Sequence, residues 1–295
     1  MKFADLFGRA AARWIKYSEY DAVKGKTGDW YIGPVKGSVS SVYDPIENAG
    51  EMVVDALNVG LKCLSGAYED ERIIAEICVF AEKYGLLGFI TALPTTPEFM
   101  EYDAVYLPKN RYVREESMPS KEYAKIFFPF EDELNDKPNP HKYYTKADGS
   151  IMVSLAARSK PKAVEMCFQA NYAESCDWLI TQFKDWAVIF GASFLHYETA
   201  DPEQALLHRQ AIAAFDGNVP SFHIELFDKP VMVWDFHSLL SVIHLVLGLL
   251  ITDDNKPLRS CKYCNRAFIT KHSKAEFCKQ SCKNKYNVYK NRSKN

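Results

Sequence analysis

The chain has 295 residues, 47% of them hydrophobic, enough for one large globular domain or a domain with an appendage. Its formal charge of −2 hides an asymmetry: from Lys256 onward there are twelve Lys or Arg against one acid, Glu276, an excess of +11 that leaves −13 for the first 255 residues. The eight cysteines exclude a disulfide framework, because Cys63, Cys78, Cys167 and Cys176 stand singly in apolar contexts suited to small core residues of a reducing compartment.

In chain order, Asp5 to Tyr20 has an amphipathic helical pattern. Charges at Lys2, Asp5, Arg9, Arg13 and Lys16 leave no apolar signal-peptide region, so a cytoplasmic location is expected. Lys24 to Gly37, with Trp30 and Tyr31, reads as loop or short strand. From Glu47 the residues Met52, Val53, Ala56, Leu57, Leu61 and Leu64 repeat at three and four, predicting a helix that ends at Gly66. A second helix is expected from an Asp70 N-cap through Ile73, Ile77, Phe80 and Tyr84 to Gly85, packed antiparallel on the first. Leu86 to Tyr144 is irregular, with strand-like runs at Ala104–Leu107 and Ala124–Phe128.

Pro161 starts a long helical region that reaches Phe190 and is interrupted near Glu174. Asp201-Pro202 predicts another helix start, with Leu206, Leu207, Ala211, Ala214 and Phe215 as its buried face and Gly217 as its stop. Alternation over Phe222–Phe227, the Asp228-Lys229 turn and Val231–Trp234 predict a hairpin. Asp235 is expected to cap an almost wholly apolar core helix, Phe236–Ile251. Asp235, His237 and His244 interrupt the apolar run there, which argues against a membrane span. Thr252 to Lys256, closed by Pro257, reads as a linker. The expected fold is mainly α with small β elements (α+β): an acidic helical body over 1–255, sensing or dimerising, and a basic finger over 256–295.

The last four cysteines carry the strongest signal. Cys261, Cys264, Cys278 and Cys282 have the spacing C-x2-C-x13-C-x3-C, in which a knuckle aims two thiolates and a helix start supplies two more. Four thiolates in a closed tetrahedral set suit one structural Zn²⁺ and leave no open position for catalysis; an iron–sulfur cluster is the alternative metal reading. So small a segment has almost no core, so the metal would supply most of its folding free energy, on the order of 10 kcal/mol. His272 is weighed as a replacement ligand and set aside, since the set of four is complete.

The segment fits the scheme called a treble clef: Ala267–Ile269 as strand, Thr270–Ala275 as loop, Phe277 as a plug, and a helix holding Cys278 and Cys282 in its first turn. At about 100° per residue, Cys278, Cys282 and Tyr289 face the metal and core. Lys279, Lys283, Lys290 and Lys294 form a neighbouring stripe, extended by Asn284, Asn287 and Asn291. Such a face can hold phosphates or read base edges, or it is simply solvated.

These features resemble the CGNR zinc-finger proteins with an ABATE-like N-terminal domain, a bacterial group regarded as stress-response transcription regulators. Cys282-Lys283-Asn284-Lys285 stands where that family has Cys-Gly-Asn-Arg; Lys283 replaces the Gly, and both cysteine pairs are closer together. The chain is also similar to uncharacterised bacterial proteins ending in a knuckle and a Phe-Cys-x3-Cys helix. The resemblance covers residues 234–295, and Phe80–Gly88 is similar to a helix end in the N-terminal domains of such proteins. It implies a ligand-sensing helical body joined to a DNA-binding finger.

The leading reading is a zinc-dependent nucleic-acid binder, with DNA the expected partner, a regulator of transcription and not an enzyme. A homodimer and a small ligand of the body accompany it; no membrane partner is expected. The alternative is a zinc-stabilised protein-interaction module with no nucleic-acid contact. A nuclease on the same scaffold would need a paired His and Asn beside His272, and the body shows none of the G-x-S-x-G, H-E-x-x-H or phosphate-loop motifs.

Overall fold

Trp14, Ile15 and Tyr17 are buried on a strand, β2 (Trp14–Tyr17), and not on a helix. The computed structural model describes residues 10–108, 110–134, 161–196, 201–217, 220–255, 257–272 and 274–292. Residues 5–9 of the expected first helix lie outside these; from residue 10 on, it is replaced by β1 (Ala10–Ala11), β2 and β3 (Tyr20–Lys24). Aromatic and β-branched side chains at 14, 15, 17 and 20 suit a pleated, half-buried surface. β3 pairs antiparallel with β4 (Trp30–Pro34), and β2 with β5 (Ser40–Tyr43).

Helix α1 (Ala49–Leu64) runs through the core, with Met52, Val53, Ala56 and Leu57 completely buried. Helix α2 (Asp70–Tyr84) packs antiparallel on it, since Lys62 pairs with Glu76 near the joined ends and Lys83 reaches Glu51 and Asp55 at the others, 2.6 and 2.7 Å away. Asp70 is not the cap but the first helical residue. It shares the first turn with Glu71, where both carboxylates face the positive helix end. Gly85 takes φ +90° and bonds back to the Ala81 carbonyl.

Beyond the short helix α3 (Phe89–Ala92), β6 (Ala104–Tyr106) pairs with β7 (Ser117–Pro119). The expected strand over Ala124–Phe128 is instead the end of helix α4 (Ser120–Lys125) and a turn: the amides of Ile126, Phe127 and Phe128 each bond three residues back. Two helices flank the interruption near Glu174, α5 (Lys162–Cys167) and α6 (Cys176–His196), separated by β8 (Glu174–Ser175), which pairs with β4. α6 crosses α1 at Gly60, where a Cβ would lie 1.9 Å from the Phe183 carbonyl oxygen, so only glycine permits this approach.

The interruption is a polar knot in the core. Glu174 is fully buried and its Oε1 accepts from the Gly88 and Phe89 amides at 2.6 and 2.9 Å and from the Tyr172 hydroxyl at 2.6 Å, while Oε2 accepts from the Leu87 amide at 2.9 Å. Burial pushes its carboxyl upward, and these four donors pull it back. The glycine at 88 takes φ +79° against the Trp14 ring, and the Trp14 indole donates to the Leu86 carbonyl at 2.8 Å. One carboxylate and one indole thus fix the Leu86–Phe89 backbone.

Helix α7 (Pro202–Ala213) begins as expected, with Asp201 accepting from the Glu203 amide at 3.0 Å. Its expected buried face is not buried: Leu206 is 55% and Leu207 63% exposed. β9 (Ser221–Leu226) and β10 (Pro230–Asp235) form the expected hairpin, with β1 parallel to β10 on the far side. Asp235 does not cap the next helix; it ends β10 and bonds His223 Nδ1 at 2.7 Å. The cap of α8 (Leu239–Thr252) is Ser238, which accepts from the Ser241 amide. Cys63, Cys78, Cys167 and Cys176 are buried free thiols. Among the described residues, helices accompany five small sheets, an α+β arrangement, and no helix is long and apolar enough to cross a membrane.

Candidate metal centre and its basic helix

Strands β11 (Leu258–Ser260) and β12 (Ala267–Ile269) pair antiparallel, and the turn between them carries Cys261 and Cys264. Asn265, at φ +55°, closes this turn: its amide bonds the Cys261 carbonyl at 2.8 Å, and the Cys261 amide bonds the Arg266 carbonyl at 2.9 Å. A short Asn in the left-handed region tolerates what a branched residue would not. The Lys262 amide bonds the Glu276 carbonyl at 2.9 Å and its Nζ the Glu276 carboxylate at 2.5 Å, which ties the turn to the loop that brings in the second cysteine pair.

Helix α9 starts at Gln280 and runs to Arg292, so Cys278 lies just ahead of it and only Cys282 is in its first turn. The four sulfurs nonetheless converge. All lie within 4.8 Å of one another, with Cys264–Cys278 at 3.7 Å, Cys278–Cys282 at 3.6 Å and Cys264–Cys282 at 3.9 Å. A disulfide would need about 2.05 Å. A tetrahedral ion bound at about 2.3 Å to each thiolate places its ligands about 3.8 Å apart, so the set fits one such ion. Fused iron–sulfur clusters hold their cysteines farther apart, across the width of the cluster.

Electrostatics point the same way. At Cys261 burial acts upward, but the backbone amides of Cys278, Cys264 and Tyr263 outweigh it and hold the thiol down at about 6. Burial and the three neighbouring sulfurs push Cys278 up to about 12. Sulfurs this crowded cannot all ionise unless a cation sits among them. Cys261 and Cys282 are buried, and the other two are half-buried. His272 is exposed and outside the four-sulfur group.

Of the expected nucleic-acid contacts, Lys279, Lys283, Asn284, Asn287 and Lys290 are exposed; Lys294 lies outside the described residues. Gln280 donates to Asn284 at 3.0 Å. Tyr289 does not face the core: it is 61% exposed and stacks on Tyr263, with ring centroids 6.1 Å apart. A helix whose only buried described residue is Cys282 has no second contact surface to cover that ring. Phe277 is half-buried against Tyr286, 5.2 Å between centroids. A groove of about 280 Å³ opens at the start of α9 between Lys274, Glu276, Lys279 and Lys283. The sequence reading did not include Lys274, which precedes the helix and belongs to no periodic face.

The hairpin also rests on the body. Asn58 of α1 bonds both the amide and the carbonyl of Ala267, and Leu258 and Ala267 join the main core. An Asn within the apolar run Ala56–Leu61 was the one local sign of this contact. Compared with family models, curated proteins and solved structures, the chain finds no match.

Proposed function

We propose that the C-terminal segment is a zinc-stabilised treble-clef finger that presents α9 to nucleic acid, within a regulator resembling the CGNR group. The observation that carries this reading is the four-sulfur set at tetrahedral spacing, whose one ion would anchor a helix with an outer surface made of Lys279, Lys283, Asn284, Asn287 and Lys290. In this reading Cys261, Cys264, Cys278 and Cys282 hold Zn²⁺, which supplies structural charge neutralisation and no reaction. The lysines neutralise phosphates, and the amides of Asn284 and Asn287 reach the groove. The acidic body, at −13, keeps the polyanion at the +11 end. One finger offers limited specificity, so two copies acting together are part of the proposal.

Fluorescence anisotropy with labelled duplex DNA and duplex RNA tests the reading. About five phosphate contacts would weaken binding by about 10²–10³-fold between 50 and 200 mM salt. Lys279→Glu, Lys283→Glu and Lys290→Glu together should abolish it. Unchanged binding in that triple variant would overturn the reading.

Val288 and Tyr289, 49% and 61% exposed on the same helix, favour a second reading in which α9 docks on a protein. Retention of one protein partner, with no nucleic acid bound by the purified chain, would select it.

A further inference from the structure

A cavity of about 520 Å³ opens in the body between α6, α7, α8 and the Asn110–Tyr112 segment. Its volume lies within the range of about 300–1,000 Å³ that small organic ligands occupy. Its walls are largely apolar, with Leu93, Ile189, Phe215 and Leu240 among them, and two of its residues carry unsatisfied polar atoms. The indole nitrogen of Trp186 and Nδ1 of His244 are both buried with no hydrogen-bond partner among the described residues. Native interiors rarely leave such groups orphaned, and two in the wall of one cavity call for a common explanation.

The neighbours define what these atoms offer. The Tyr112 hydroxyl donates to Gln182 Oε1 at 2.7 Å, which turns the Gln182 NH₂ toward His244 Nε2 at 3.4 Å. Nε2 is then the acceptor, so in the neutral ring the proton sits on Nδ1. Burial lowers the His244 pKa to about 4, and the ring stays neutral at ordinary pH. Trp186 and Phe215 stand edge-on to it, 5.7 and 5.3 Å between centroids. Two of the residues that line the cavity therefore carry N–H donors that are closed to solvent and without an acceptor among the described residues.

Charge narrows the class further. Among the described lining residues Arg111 is the one cation, and its pairing with Asp185 at 2.6 Å leaves no lining cation to hold an anion. Such a rim disfavours an anion. We propose that this cavity binds an uncharged organic molecule with an aromatic-sized apolar body and a carbonyl oxygen that accepts from Trp186 Nε1–H. The Trp186 nitrogen is closed to solvent, so in this proposal the carbonyl reaches it only as the indole turns toward the cavity. The proposal does not rest on the finger's role, and loss of nucleic-acid binding would leave it standing.

The test uses the full chain and prodan, an uncharged naphthyl ketone whose emission shifts to the blue in apolar surroundings. Saturable binding at one site is expected, with the naphthoate bearing the same dimethylamino group at least about 10-fold weaker because the one described lining cation is already paired. Trp186→Phe, which keeps the ring and removes the donor, should weaken prodan by about 3–10-fold. Ala211→Trp, which fills the cavity from α7, should abolish binding while retaining the wild-type circular dichroism. If that variant does not fold, the Trp186 indole N–H resonance of the wild-type protein, assigned through Trp186→Phe, decides: prodan must shift it. No saturable binding, wild-type binding by a folded Ala211→Trp, equal binding of the naphthoate, or an unmoved Trp186 resonance would each overturn the proposal.

Discussion

The side-chain amide of Asn58 pairs with the backbone of Ala267 as a neighbouring strand would: Oδ1 accepts from the Ala267 amide at 2.9 Å, and Nδ2 donates to the Ala267 carbonyl at 3.1 Å. Asn58 is 7% exposed and its Nδ2 also reaches the Val54 carbonyl at 2.8 Å, so the amide is held in one orientation. This pairing sets the β11–β12 hairpin on α1 and thereby fixes where the cysteine turn points.

Asn58→Leu keeps the volume and removes both bonds, leaving a buried N–H and C=O unsatisfied. The expected loss is about 2–4 kcal/mol in urea denaturation, with faster amide exchange at Ala267. A change below about 0.5 kcal/mol would show that the contact does not hold the β11–β12 hairpin in place.

Metal removal should unfold the segment that carries the four cysteines and spare most of the body. Purified protein is expected to carry one zinc per chain by elemental analysis. Cys282→Ser should lose it, because Cys282 is the one ligand within α9 and its sulfur lies within 4 Å of two others. Chelation of the wild-type protein should broaden the resonances of residues 258–292 and leave those of α1 and α6 sharp, since these helices have their own apolar core. Zinc-free protein with unchanged spectra would refute the metal's structural role.

Glu174 should be among the most sensitive positions in the body. Glu174→Gln turns one acceptor into an NH₂ that faces N–H donors, at a cost of about 1–3 kcal/mol. Glu174→Ala strands the Leu87, Gly88 and Phe89 amides and the Tyr172 hydroxyl, and should cost at least about 4 kcal/mol. Thermal or urea denaturation ranks the two; equal stability of Ala and Gln variants would mean that water replaces the carboxylate.

His244 makes stability depend on pH. Its folded pKa of about 4 lies below the unfolded value of about 6.5, so the unfolded chain takes up the proton first as pH falls. Stability contributed by the neutral ring is complete above about pH 6.5 and declines toward pH 4, by about 2–3 kcal/mol over that window. Urea midpoints between pH 7 and 4 should fall less steeply for His244→Phe than for the wild-type chain. Parallel profiles would remove this histidine as the source.

The elements that were legible in the sequence are those whose evidence is local. The stripes Met52–Leu64 and Ile73–Tyr84, the Asp201-Pro202 start and the 221–235 hairpin announce themselves within one window, because burial of one face imposes a period on neighbouring residues. Trp14–Tyr17 was misread because spacings of three and four occur in short strands with a buried aromatic at each end. α7 was misread because a correct cap and an apolar stripe do not guarantee a partner for that stripe.

The cysteine quartet and the basic tail were fixed by residue type and spacing alone, since thiolate chemistry and net charge are properties of the chain before it folds. The tertiary structure decided that Asn58 receives β12 across 209 positions and that Glu174 gathers three amides 85 to 87 positions away. It also put two N–H donors in one cavity wall and turned Tyr289 outward onto Tyr263. Such groups are satisfied, or left waiting, by partners distant in the chain, and a contact between distant residues imposes no period on the sequence around either of them.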